Sequence, residues 1–432
     1  MNRRYVRATL CAAVMITTGS FASAGEPGSH EAAIVHETAI VHGRLLTISH
    51  GVIDNGTVII ADGKIKAVGG SQTPVPPHAR VLDASGMTVY PGLIDAVDVD
   101  GVTAGSISQS RRPFHSLPPG TPAPNLSVAS AVGPVDTILV DRLNGLLNAG
   151  VSPGTEGPEP GQLAFIQFTD QPGSLVLSPD AALIMNFGSG AQRHDMYPST
   201  LFGVADFFRE QLTRLRDYRA GLGLRDHRGK QIPDERLDAL IPFVDGKRPI
   251  IVFADSDTEI GVALDLAQEF GLHVTLAGAT GIDTEIERVA AAKIPVIVGS
   301  IWDIPADGER FDHTFSIPAR LAARGVKIAI ATFGRDAGGA RNLPYAAGYA
   351  VAYGLPYEEA LKSITLNPAE MLGAGGSLGS LDLGKQANLV IADGDPLDVK
   401  TDVKHVFIQG VEIPMKSMQT ELRDRYQLKT HP

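Results

Sequence analysis

The sequence predicts an α/β fold, a large parallel sheet or barrel inserted into a small β-sandwich, and three observations point to it. Apolar strand-like runs alternate with helical patterns through the middle of the chain. Short alternating runs broken by Gly, Asp and Asn stand at both ends. The length, 432 residues, accommodates one barrel-sized domain and a smaller appended one.

The first 24 residues read as a secretory signal. "MNRRYVR" is basic, "ATLCAAVMITTGSF" is apolar, and "ASA" offers small residues for cleavage after Ala24. The apolar run is too short to span a bilayer, so no membrane association is expected after cleavage. Cys11 is the only cysteine and leaves with the signal, so the mature chain has neither disulfide nor thiolate ligand. Losing Arg3, Arg4 and Arg7, with no acid among those residues, takes the net charge from −11 to −14. Such a surface excludes nucleic acid as a partner class. A secreted or periplasmic location follows from the signal.

Three runs, "AIVHGRLLTI", "GTVIIADGKIKAVGG" and "ARVLDASGMTVY", read as small antiparallel strands. "GSLDLGKQANLVIADGDP" and "VKHVFIQGVEI" repeat that character near the far end, so both ends build one sandwich. Between them "LAFIQF", "AALIMNF", "PIIVFAD", "HVTLAG", "IPVIVGS" and "VKIAIAT" are continuous apolar runs, as expected of strands buried on both faces. Helical patterns such as "DTEIGVALDLAQEFG" separate the later ones. Residues 101–135, rich in Pro, Ser and Gly, read as a long excursion over the barrel mouth.

Three stretches resemble the amidohydrolase superfamily, and within it the imidazolonepropionase-like branch. They are "GTVIIADGKIKAVG" with "VLDASGMTVYPGLID", then residues 340–373, then "GSLDLGKQANLVIADGDPL" at 379–397. The resemblance implies a distorted (β/α)8 TIM barrel with a small β-sandwich formed from both chain ends. Its expected boundaries are 1–24 for the signal, 25–88 and 376–432 for the two parts of the sandwich and tail, and 89–375 for the barrel. It also implies a hydrolase of non-peptide C–N bonds, such as cyclic amides, or of dipeptide-like bonds.

The same resemblance implies a His-x-His pair ending strand 1, a ligand on strand 4, histidines on strands 5 and 6, and an aspartate on strand 8. Residues i and i+2 of a strand share a face, so such a pair enters the barrel together and holds a water-activating ion. Here Val97 and Val99 stand at the histidine positions of "PGLIDAVDVD", and Phe333 stands near the expected aspartate. His273 precedes its strand, and His115, His194, His227 and His313 fall in apparent loops as solvated surface residues. No zinc or other cofactor is therefore expected. A harder divalent ion becomes an alternative only if a one-residue bulge slips strand 1 and turns Asp98 and Asp100 inward. The other reading leaves both in a solvated loop.

Asp255 and Asp336 are the candidate catalytic carboxylates, each at the C-terminal end of a predicted strand, where barrel enzymes carry reactive groups. Asp255 and Asp257, two apart, read either as a like-charge pair that makes a base or as helix caps. Arg335 and Trp302 are the candidate substrate-binding residues, a guanidinium for a carboxylate or amide and an indole to wall a pocket. An ion pair at the rim and packing under a loop are the alternatives. The expected partners are a small-molecule or peptide-like ligand, a second copy of the chain, or an active amidohydrolase to which this chain is a non-catalytic subunit.

Overall fold

The structure, a computed structural model, describes residues 37–98, 122–132, 140–169, 172–193, 196–302, 308, 310–334 and 339–427. All of them belong to one compact unit, His36–Pro432.

Eight strands from the two ends form one hydrogen-bonded sheet. β1 (Thr38–Leu46), β2 (Val52–Ala61), β3 (Lys64–Gly69), β4 (Arg80–Asp83) and β5 (Thr88–Pro91) come before the barrel. β14 (Leu389–Ala392), β15 (Val403–Ile408) and β16 (Val411–Ile413) come after it. The order is β16-β15-β14-β5-β1-β2-β3, with β4 also against β1. The ends meet where β14 pairs antiparallel with β5, Val390 opposite Tyr90. β1 lies parallel to both β4 and β5, a departure from the antiparallel reading. Inward residues of both ends, among them Ile40, Val58, Val89, Leu389 and Phe407, share one core.

The middle forms the second sheet: β6 (Leu93–Asp98), β7 (Leu146–Val151), β8 (Gly161–Gln167), β9 (Val176–Asn186), β10 (Ile250–Ala254), β11 (Val274–Gly278), β12 (Val296–Val298) and β13 (Ile328–Ile330). They follow one another in sequence order around a nearly closed barrel. β8 runs antiparallel to both neighbours. Its connections to β7 and β9 are too short for a crossover helix, and hairpin-like links make antiparallel pairs. From β9 to β13 every pair is parallel.

Along β10 the two periods are plain. Ile251 and Phe253 join the barrel interior, while Ile250, Val252 and Ala254 pack outward under the helices. Those helices are α1 (Leu201–Arg219), α2 (Glu235–Val244), α3 (Asp257–Phe270), α4 (Ile286–Ala291), α5 (His313–Ala322), α6 (Leu343–Ala352), α7 (Tyr357–Ser363) and α8 (Leu366–Met371). α1 shows why they dock: Val204, Phe208, Leu212 and Leu215 form a buried stripe at helical spacing, and Phe208 stacks on Phe187 at 5.2 Å. Thr200 starts that helix by accepting the Gly203 amide. No described helix is long and apolar enough to cross a membrane.

Candidate functional site

The C-terminal ends of the barrel strands form the candidate site, and β6 organises it. Register with β7 slips by one residue between Asp95, opposite Ala149, and Asp98, opposite Val151. This bulge drives the Ala96 carbonyl toward β7, where Gly150 makes room: a Cβ there would stand 2.3 Å from the oxygen. Val97 nevertheless lies among the interior residues with Phe253 and Phe333. Asp98 is buried, and its charge is felt by Asp95 and Asp141. Asp100 and Val99 lie outside the described residues.

Besides Asp98, three carboxyls are buried among the described residues, and none was singled out in the sequence. Asp95 accepts the Thr332 amide at 3.2 Å, the Thr332 hydroxyl and the Val97 amide at 3.3 Å. Burial, followed by the charge of Asp98, pushes its pKa well above the usual carboxylate range, against the pull of those hydrogen bonds. Burial and then Asp98 raise Asp141 to about 7, with Arg341 opposing. Burial raises Glu159 to about 8, against a 3.1 Å hydrogen bond from Gln211 and the charge of Arg236. Asp95 offered the one available signal, an acid inside an otherwise apolar strand. Asp141 and Glu159 are buried by elements distant in sequence.

Across the barrel, Phe253 and Phe333 meet edge to face with centroids 5.7 Å apart. Phe333 holds a left-handed backbone, φ 55°, a conformation that costs a bulky residue about 1–2 kcal/mol and persists because packing holds it. At the end of β11, a Cβ on Gly278 would stand 2.3 Å from Asp255 Oδ1, and one on Gly299 would stand 3.0 Å from the Gly278 Cα. The Asp255 side chain therefore takes the space that a side chain at Gly278 would need, and the Gly278 backbone crowds Gly299. Asn186, ending β9, is already committed: its amide donates to the Thr155 carbonyl at 2.6 Å, and its oxygen accepts the Gly188 amide.

Asp255 is exposed and sits at the start of α3. Its amide donates to Glu259 at 2.9 Å, and Ser256 with Glu259 forms a reciprocal capping box. Asp257 accepts the Thr284 amide at 3.0 Å. The cap of α3 is thus Ser256, between the two aspartates. Trp302 packs edge-on against Tyr349 at 4.5 Å and near Phe315 at 6.4 Å. Its indole N–H meets no hydrogen-bond partner among the described residues. Arg335 and Asp336 lie outside the described residues.

His313 corrects one expectation. It was read as a solvated loop residue, yet it opens α5 with its side chain 12% exposed and lies 2.7 Å from Asp283. Burial pushes the Asp283 carboxyl up, but hydrogen bonds from Arg320 and His313 outweigh it and hold it below its ordinary value. The pair joins the segments after β11 and β12, which no local pattern links.

Comparison with known proteins shows what the chain is similar to. The profile of the amidohydrolase family matches residues 254–413. The chain carries an amidohydrolase-family domain. An imidazolonepropionase of Syntrophobacter fumaroxidans is 31% identical over 114 residues, 26% of each chain. An amidohydrolase of Hapsidospora irregularis is 47% identical over 58 residues, 13% of this chain and 6% of that one. These matches thus span about a quarter or less of the relatives' own lengths. A dihydroorotase of Ruminiclostridium cellulolyticum is 25% identical over 396 residues, 82% of this chain and 88% of that one. The structure of an amidohydrolase from Thermotoga maritima aligns with TM-score 0.79 and 26% identity, covering 88% of this chain and all of that one.

Amidohydrolases of this kind usually bind a divalent metal, so the donor set here can be tested against one. Asp98, Ile330, Gly278 and the committed Asn186 end β6, β13, β11 and β9, with Phe333 just past β13. Asp98 is the one carboxylate among these residues, and none of them is an imidazole. Among the described residues no group of three or more His, Cys, Asp or Glu is placed to hold an ion. The described residues by themselves do not make up the histidine-rich metal centre that the resemblance implies, and no step is derived through one.

Proposed function

We propose that this chain is a secreted, non-catalytic relative of the amidohydrolase-family hydrolases, serving as a partner subunit of an active member or as a periplasmic ligand-binding protein. The observation that carries the reading is the contact of Phe253 with Phe333, with Val97 among the same interior residues. This apolar packing inside the barrel supports the reading, since buried aromatic pairs are stable rather than reactive. Export is supported by the basic and apolar composition of residues 1–24.

A second reading keeps the family chemistry, hydrolysis of a cyclic amide or dipeptide-like bond. It draws on the dihydroorotase likeness, which runs through most of both chains. The two separate in one assay. Purified mature protein, supplemented with Zn²⁺, Mn²⁺ or Mg²⁺, is tested on cyclic amides and on dipeptides. The first reading expects no turnover above buffer and, from the native extract, recovery of an active amidohydrolase or a retained small ligand. Turnover abolished by chelation would overturn it.

A further inference from the structure

A second recess lies away from the barrel mouth, between α6 and the loop that follows β14. Tyr345, Tyr349 and Tyr353 recur every four residues on and just past α6, so their rings follow one face. Tyr357, opening α7, continues the row. Helix and loop approach closely: a Cβ on Gly348 would stand 2.9 Å from the Leu397 carbonyl oxygen. Beside this contact opens a cleft of about 820 Å³, walled by the four tyrosines and by Asp395 and Asp398. Among the described residues no Lys, Arg or His lines it, although the charge of Arg44 reaches Tyr357.

The walls are set in place by neighbours. Tyr353 stacks on Phe315 at 5.0 Å, and Tyr349 meets Trp302 edge-on. The Tyr357 hydroxyl donates to Asp395 at 2.9 Å, as does the Leu397 amide. Burial and that hydrogen bond push the Tyr357 hydroxyl above its ordinary value, so the phenol stays neutral and the negative charge of the cleft resides on the aspartates.

We propose that this cleft binds a small organic cation of the alkylated or quaternary ammonium class. Aromatic faces attract cations, and more strongly once water is removed. An anion would face two carboxylates without a cationic side chain on the cleft's lining to receive it. A purely apolar ligand would strip water from Asp395 and Asp398 without replacing it. The volume suits a small molecule rather than a protein segment. This inference is independent of whether the barrel mouth catalyses anything, since its readout is binding at a different place.

The test is calorimetric titration of the full mature chain with choline and, separately, with 3,3-dimethyl-1-butanol, its uncharged counterpart of the same shape. Choline is expected to bind saturably and the neutral alcohol at least about tenfold more weakly. Tyr353→Leu and Asp398→Asn are each expected to weaken choline by roughly five- to tenfold. Asp398 is included because its carboxylate contacts only the Lys400 amide among the hydrogen bonds of that loop, so its loss spares the Asp395–Tyr357 link. Unchanged thermal unfolding shows that the variants fold. Equal binding of both probes, no saturable binding, or choline binding indifferent to both substitutions would overturn the proposal. So would a dimer in sedimentation that Tyr349→Ala dissociates, because a second copy would then fill the cleft.

Discussion

Asp95 and Thr332 join the first and last strands of the barrel: the Thr332 amide donates to the Asp95 carboxyl at 3.2 Å, and its hydroxyl donates to the second oxygen. β6 and β13 are not paired as a ladder, so this clasp and the Phe333 amide on the Val97 carbonyl at 3.0 Å close the ring. Thr332→Val keeps the shape and removes one donor from a fully buried carboxyl. It is expected to cost about 1–3 kcal/mol in urea unfolding. A change below about 0.3 kcal/mol would show that the seam holds without it.

Gly150 permits the bulge on β6. Gly150→Ala puts a Cβ against the Ala96 carbonyl oxygen and is expected to destabilise by about 1–3 kcal/mol. Gly173→Ala is the control, since its Cβ would meet nothing within 4 Å, and it should lie within about 0.5 kcal/mol of the parent.

Phe333→Ala empties one half of the aromatic contact in the barrel and is expected to cost about 3–5 kcal/mol. Phe333→Gly removes the same ring but relieves the positive φ. It should therefore be no less stable than the alanine variant, and by about 1 kcal/mol the better of the two. The reverse order would mean that the backbone there relaxes once the ring is gone.

Stability should fall as pH rises through neutrality. Asp141 and Glu159 have folded pKa values of about 7 and about 8, above their ordinary 3.8 and 4.5. The folded chain therefore holds protons that the unfolded chain releases. Their contribution is fully present below the ordinary values and is lost as pH passes the folded ones. Asp245, Asp283 and Asp382 are shifted the other way, so their contribution is present above 3.8 and lost only in acid. Urea midpoints measured from about pH 5 to about pH 9 should decline, and Glu159→Gln should flatten the upper part of that decline. A flat profile in the parent would contradict the burial of these groups.

Much of the architecture is visible in the chain itself. "PIIVFAD" and "HVTLAG" read as strands buried on both faces and form β10 and β11, and the polar, alternating ends do form one shared sheet. Period alone carries no direction, so the reversal of β8 was not legible. The fate of Val97 and Asp98 depends on a bulge tolerated by Gly150, about fifty residues on and on a neighbouring strand. His313 and Asp283 meet across two separate connections, and Asp141 and Glu159 gain their character from burial by distant elements. Tertiary neighbours set each of these, and no local pattern records them.

On the proposed reading, the barrel mouth holds no metal ion. Elemental analysis tests it most directly, on untagged mature protein incubated with Zn²⁺, Mn²⁺ and Mg²⁺ and then freed of unbound ions. The account predicts no stoichiometric metal. Retention of about one or two ions per chain, the complement of a metal-water hydrolase, would contradict it and return the chain to its family's chemistry.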